Sequence, residues 1–170
     1  MSISGEEKYH AVVLSRIWNA VSEQLPSAHF NVSRGLSRSS YIVSGLLPAT
    51  IGKGKVSQAG IFIKYATDRV TPWRYSFHKT HQDEILELKN KYGAAFVAFV
   101  AGDDGIACVT FEQLKEVLDE SYGDVEWVSV SRKLRQNYRV SGADGRLEKP
   151  LPRNSFPGSV VDYFGQKLKK

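Results

Sequence analysis

Apolar residues at Tyr9, Val12, Val13, Ile17, Trp18 and Val21 recur at three- and four-residue intervals. That is the spacing of one helical face, and it predicts a helix from Glu6 to about Gln24. Ser4 precedes it and Glu7 follows three residues on, a capping-box pair, while Pro26 ends the pattern. A Ser/Arg-rich piece, Ser33 to Ser40, leads to a strand candidate at Tyr41-Ile42-Val43, and the Gly/Lys-rich stretch from Pro48 to Ala59 reads as an exposed loop. Gly60 to Ala66 is apolar at nearly every position, as a central strand covered on both faces requires. Tyr75 and Phe77 alternate with polar neighbours in a short strand. Thr80 is placed to cap a helix from His81 to about Lys91, closed by Gly93. Ala94 to Val100 is a second buried strand, and the turn Gly102-Asp103-Asp104-Gly105 folds Ile106 to Val109 back on it. Thr110 caps a helix from Phe111 to about Glu120, Val125 to Val130 is a strand, and Tyr138 to Leu147 forms an edge hairpin about Gly142-Ala143-Asp144-Gly145. Val160 to Lys170 reads as a short basic helix. Strands alternating with helices in this order predict an α/β fold: one domain over residues 1–170, a mixed sheet flanked by helices, with a basic C-terminal tail.

Composition narrows the class. With 42% hydrophobic and 24% charged residues in 170, the chain has the balance of a folded globular protein. No apolar run approaches the roughly 20 residues of a membrane span, and the start of the chain lacks the apolar segment of a signal peptide. The single cysteine, Cys108, excludes an internal disulfide and fits a reducing, cytoplasmic setting. The net charge of +5 is unevenly spread: residues 26–80 hold eight basic side chains and one acid, residues 81–127 three basic and eleven acidic, and residues 128–170 ten basic and three acidic. A surface so divided attracts a polyanion on its positive side.

One residue disturbs the pattern. Lys64 lies inside the buried strand Gly60-Ile61-Phe62-Ile63-Lys64-Tyr65-Ala66, where an unpartnered charge is costly. A helix, then strands of which one carries this lysine, then a helix and a strand ending in Gly-Asp-Asp-Gly, resembles the core of the PD-(D/E)XK nuclease-like superfamily. The likeness is nearest to the archaeal Holliday junction resolvase branch and covers roughly residues 5 to 120. It implies a restriction-endonuclease-like α/β sandwich and a nucleic-acid partner, DNA being favoured. Lys64 matches the family lysine, which orients the attacking water beside carboxylates that hold Mg²⁺. The motif is degenerate: Phe62 stands where the family has Glu or Asp, and the strand Tyr41 to Gly45 brings no Asp. Relocated acids are the alternative, with Glu84 and Glu7 joining Lys64 in catalysis and Asp68 and Asp83 holding the metal. No cofactor is otherwise implied.

Basic and aromatic residues form the second candidate set. Arg34 and Arg38 lie upstream of the strands, Arg69, Trp73 and Arg74 in one connection, and Arg132, Lys133 and Arg135 in the acid-free run Ser131 to Arg139. Guanidinium groups suit phosphates and an indole suits a base. Three functions follow as expectations: nucleic-acid binding with weak or absent cleavage, a Mg²⁺-dependent endonuclease using relocated carboxylates, or a protein–protein module presenting Glu112, Glu116, Asp119 and Glu120. A homodimer is compatible with each.

Overall fold

The structure is a computed structural model that describes residues 1–49 and 52–169. In chain order its elements are α1 (Gly5–Gln24), β1 (His29–Arg34), β2 (Ser40–Leu47), β3 (Lys55–Ala66), β4 (Trp73–His78), α2 (Lys79–Tyr92), β5 (Ala95–Ala101), β6 (Gly105–Thr110), α3 (Phe111–Val117), β7 (Val125–Ser131), β8 (Arg139–Gly142) and α4 (Ser155–Lys169). The α/β class and the sheet flanked by helices stand as expected. Five strands form a mixed sheet in the order β1-β2-β3-β5-β6, and β4-β7-β8 form a second, antiparallel sheet. Strands β1, β2 and β3 are an antiparallel meander, β5 lies parallel to β3, and β6 returns antiparallel. A parallel pair needs a crossover, and β4 with α2 supplies it.

Both faces of the large sheet are covered, which is why β3 and β5 lack polar alternation. On one face Val13, Ile17 and Val21 of α1 and Val160, Val161, Phe164 and Leu168 of α4 pack on Val43, Ile61 and Ile63. On the other, Phe62, Val97 and Phe99 meet Ile85 and Leu88 of α2, Leu114 of α3 and the inward residues of the small sheet, Trp73, Tyr75, Phe77, Val128 and Val130. The buried Tyr75 hydroxyl donates to the Val100 carbonyl at 2.9 Å, tying one sheet to the other. Cys108 is a fully buried small side chain on β6, and burial pushes its thiol pKa up.

Local signals succeed where the cap is local. Ser4 and Glu7 form the capping box of α1, Thr110 caps α3 through the Gln113 N–H, and Gly93 ends α2 in the left-handed region (φ 84°). Four boundaries differ. Helix α2 begins at Lys79 with His78 as its cap residue, not at His81 behind Thr80, because the His81 ring accepts the His78 backbone N–H at 3.1 Å. Helix α3 stops at Val117, where the Asp144 N–H takes the Val117 carbonyl and the Asp144 carboxylate takes the Asp119 N–H. Strand β3 extends back to Lys55, so the loop expected over Pro48 to Ala59 is a strand in its second half; its Thr50 and Ile51 lie outside the described residues. The basic tail is a packed helical segment from Ser155 with a kink at Phe156, whose backbone is extended (φ −120°, ψ 129°), and Lys170 lies outside the described residues. Strand β1, whose Phe30 and Val32 alternate with polar residues at the sheet edge, was not expected at all.

Candidate functional site

Lys64 sits two residues beyond Phe62 on β3 and so points to the same face, toward α2. Its ammonium lies 3.3 Å from His81 Nδ1 and 5.0 Å from the centre of the Phe77 ring. Since His81 Nδ1 already accepts the His78 N–H, it carries no proton and the ammonium donates to it. Burial lowers the Lys64 pKa to about 8. Burial, then the Lys64 and His78 charges, lower that of His81 to about 4. Among the described residues no carboxylate forms an ion pair with Lys64. An imidazole and an aromatic face therefore hold the lone strand cation, where the family pattern requires acids.

Among the described residues none of the relocated acids is within ion-pair distance of it. Glu84 accepts the Ser40 hydroxyl at 2.6 Å, and the Ser40 oxygen in turn receives the Leu36 and Ser37 N–H groups, so this acid anchors the β1–β2 turn. In the β2–β3 register Ser40 lies opposite Phe62. Glu7 is on α1, across the sheet from Lys64, and its carboxylate holds the Ser4 N–H at 2.6 Å, the hydrogen bond that lowers its pKa. Asp83 is exposed on α2 and bound to Tyr122 and Lys79. Asp68 is exposed after β3, where its main-chain carbonyl accepts the Trp73 indole N–H at 2.9 Å. Among the described residues no three His, Cys, Asp or Glu side chains are grouped to hold a metal ion. Of the proposed catalytic set, Glu7 lies on the opposite face of the sheet from Lys64, and among the described residues neither Glu7 nor Glu84 is within ion-pair distance of it.

The basic residues divide into three groups. Arg34 and Arg38 face α1: the Arg34 guanidinium lies over the Tyr41 ring and donates to the Arg38 carbonyl at 3.0 Å, and Arg38 stands 3.5 Å from Glu6. With His10, Glu6 and Glu7 they line a cleft of about 420 Å³ whose charges are mixed. Two expected nucleic-acid contacts are structural instead. Trp73 is 2% exposed, its ring packed inward near Tyr138, and no base reaches it. Arg132 donates to both carboxylate oxygens of Asp104, which also accepts the Tyr138 hydroxyl at 2.7 Å. This clamp joins the β5–β6 turn to the β7–β8 connection and depresses the Asp104 pKa.

The third group is free. Arg69 precedes β4, Arg74 points outward from it, Lys133 and Arg135 lie between β7 and β8, and Arg139 opens β8; all five are exposed. The Arg132 N–H donates to Thr71 Oγ1 at 3.1 Å, bringing the two loops together, and β7 separates β4 from β8. These cations therefore meet at one end of the small sheet, close to where the parallel strands β3 and β5 end, since the Gly102 N–H donates to the Ala66 carbonyl there. Among the described residues none of the five is in an ion pair. Elsewhere Lys89 pairs with Glu112 at 2.7 Å, so the acidic face expected on α3 is partly neutralised.

Sequence reasoning overlooked Trp127. It stands on β7 at an outward position, 48% exposed, beside this group. The signal was available in Val125-Glu126-Trp127-Val128-Ser129-Val130-Ser131, where Val128 and Val130 mark the dry side and the serines place Trp127 on the wet one. Among the described residues no helix is long and apolar enough to cross a membrane. No protein-family model, curated protein or solved structure matches the chain.

Proposed function

We propose that this chain is a nucleic-acid-binding protein of nuclease-like fold that does not use a metal to cut its ligand. The observation that carries the reading is the group Arg69, Arg74, Lys133, Arg135 and Arg139: five exposed cations, unpaired among the described residues, on adjoining loops and strands. Like charges so gathered cost self-repulsion, and a polyphosphate relieves it by releasing its condensed counterions. The element order supports the nuclease-like assignment, with an opening helix, a strand at the position of the family Asp (β2), a strand with the lysine (β3), and then a helix and a parallel strand (α2, β5). Phe62 in place of the family acid, the lack of an ion pair to Lys64 and the lack of a three-ligand metal group, both among the described residues, support a reading without metal-dependent cleavage.

The test is a titration of short labelled oligonucleotides followed by fluorescence anisotropy at several salt concentrations, with a parallel incubation in Mg²⁺ and Mn²⁺. Five phosphate contacts give a log–log salt slope of about −3.5 to −4.5, an affinity loss of roughly 100-fold or more between about 50 and 200 mM salt. The strands emerge intact. Affinity indifferent to salt, or cleavage that Lys64→Ala abolishes, contradicts the proposal.

A further inference from the structure

We infer that the outward face of β4, β7 and β8 is a stacking platform for single-stranded nucleic acid, with Trp127 under a base and Arg74 and Arg139 on flanking phosphates. This rests on the nucleic-acid reading above and specifies its ligand. On β7 the inward residues Val128 and Val130 are fully buried, whereas Trp127 is 48% exposed. Among the described residues its ring pairs with no other aromatic ring and lies under no cation, and about half of the residue is open to solvent. Across the strand pair Trp127 lies opposite Ser76, which puts Arg74 at one diagonal position and His78 at the other. On the far side β8 brings Ser141 opposite Ser129 and Arg139 opposite Ser131. The serines are too short to shield either the indole or the guanidinium groups.

Charge selects the occupant. No outward position of these three strands carries an acid; the one carboxylate on β7, Glu126, is turned inward and accepts the Gln82 amide at 2.8 Å. A flat ring bordered by Arg74, the His78 imidazole, Val125 and serine hydroxyls, with no acid among them, suits a chain of planar bases joined by phosphates. In a duplex the bases are already stacked on one another and cannot reach the ring, whereas an unpaired base presents its π-face.

The experiment compares the wild type with Trp127→Ala and Trp127→Phe, each checked for an unchanged circular dichroism spectrum. Single-stranded DNA, single-stranded RNA and duplex DNA of one sequence are the probes. The alanine variant is expected to lose roughly 5- to 100-fold in affinity for the single strands and little for the duplex, with phenylalanine retaining most of it. In a Trp18→Phe background the two remaining tryptophans are buried Trp73 and exposed Trp127, and single strand quenches the red-shifted component of the emission, which is that of Trp127. Wild-type affinity in Trp127→Ala, or unquenched emission with strand bound, overturns the platform. Binding of duplex alone overturns it while leaving the nucleic-acid reading intact; binding of neither removes both. Self-association that Trp127→Ala abolishes, with oligonucleotide affinity unaltered, assigns the face to a second copy of the chain instead.

Discussion

Replacing Arg69, Arg74 and Arg139 together with alanine is expected to lower oligonucleotide affinity about 100-fold at 0.1 M salt and to flatten the salt slope by about 2. The magnitude follows from counterion release: each cation facing a single strand contributes about 0.7 to the slope, or roughly fivefold in affinity at that salt concentration. All three side chains are exposed and outside any ion pair among the described residues, so the fold has no stake in them. Thermal midpoints should move little, because exposed substitutions away from caps and cores change stability by about 0.5 kcal/mol or less. Lys8→Ala with Arg16→Ala and Lys167→Ala, on the α1 and α4 side, removes the same charge and should leave binding as it was. Equal losses from both variants would mean that the cations act only through net charge.

Phe62→Ala is expected to destabilise the fold by about 3–5 kcal/mol in a denaturant titration. Phe62 is fully buried on β3, between Ser40 of β2 and Val97 of β5 in the sheet and beneath the His81 ring of α2, 5.6 Å between centroids. Removing the ring forfeits its burial and opens a cavity that two hydrogen-bonded neighbouring strands cannot close. Installing the acid of the family pattern, Phe62→Glu, should be at least as costly, since the carboxylate would enter an apolar layer and Lys64, two residues on, already has a lowered pKa. The expected product is an unfolded or barely folded chain that cuts nothing in Mg²⁺. A stable Phe62→Glu protein with nuclease activity would show that the site is a latent metal centre one residue from function.

Much of the architecture was legible because the determinants are short in range. The helical spacing of α1 with its Ser4 and Glu7 cap, the unbroken apolar runs of β3 and β5, and the Gly-Asp-Asp-Gly hairpin are all set by neighbours in sequence. What failed depends on partners distant in the chain. Trp73 and Arg74 are adjacent and look alike as ligand contacts, yet pleating sends one into the core and the other to solvent. Arg132 reads as one more cation in a basic run until Asp104, 28 residues earlier, claims its guanidinium. Glu84 and Glu7 come from the helices that follow and precede the lysine strand, but one is held by Ser40 and the other lies beyond the sheet. The cost of a buried charge identified Lys64 as a residue needing a partner; only the structure shows that the partner is His81. The basic group itself was half visible, as two separate runs, and needed the Thr71–Arg132 hydrogen bond to become one surface.

Backbone amide chemical-shift mapping of the protein during an oligonucleotide titration in low salt tests the central claim most directly. The account predicts that shifts concentrate in residues 67–78 and 125–141, with Trp127, Arg74 and Arg139 among the largest and α1, α3 and α4 quiet. Shifts centred instead on the cleft of Arg34 and Arg38, or on the acidic helix α3, or absent altogether, would contradict it.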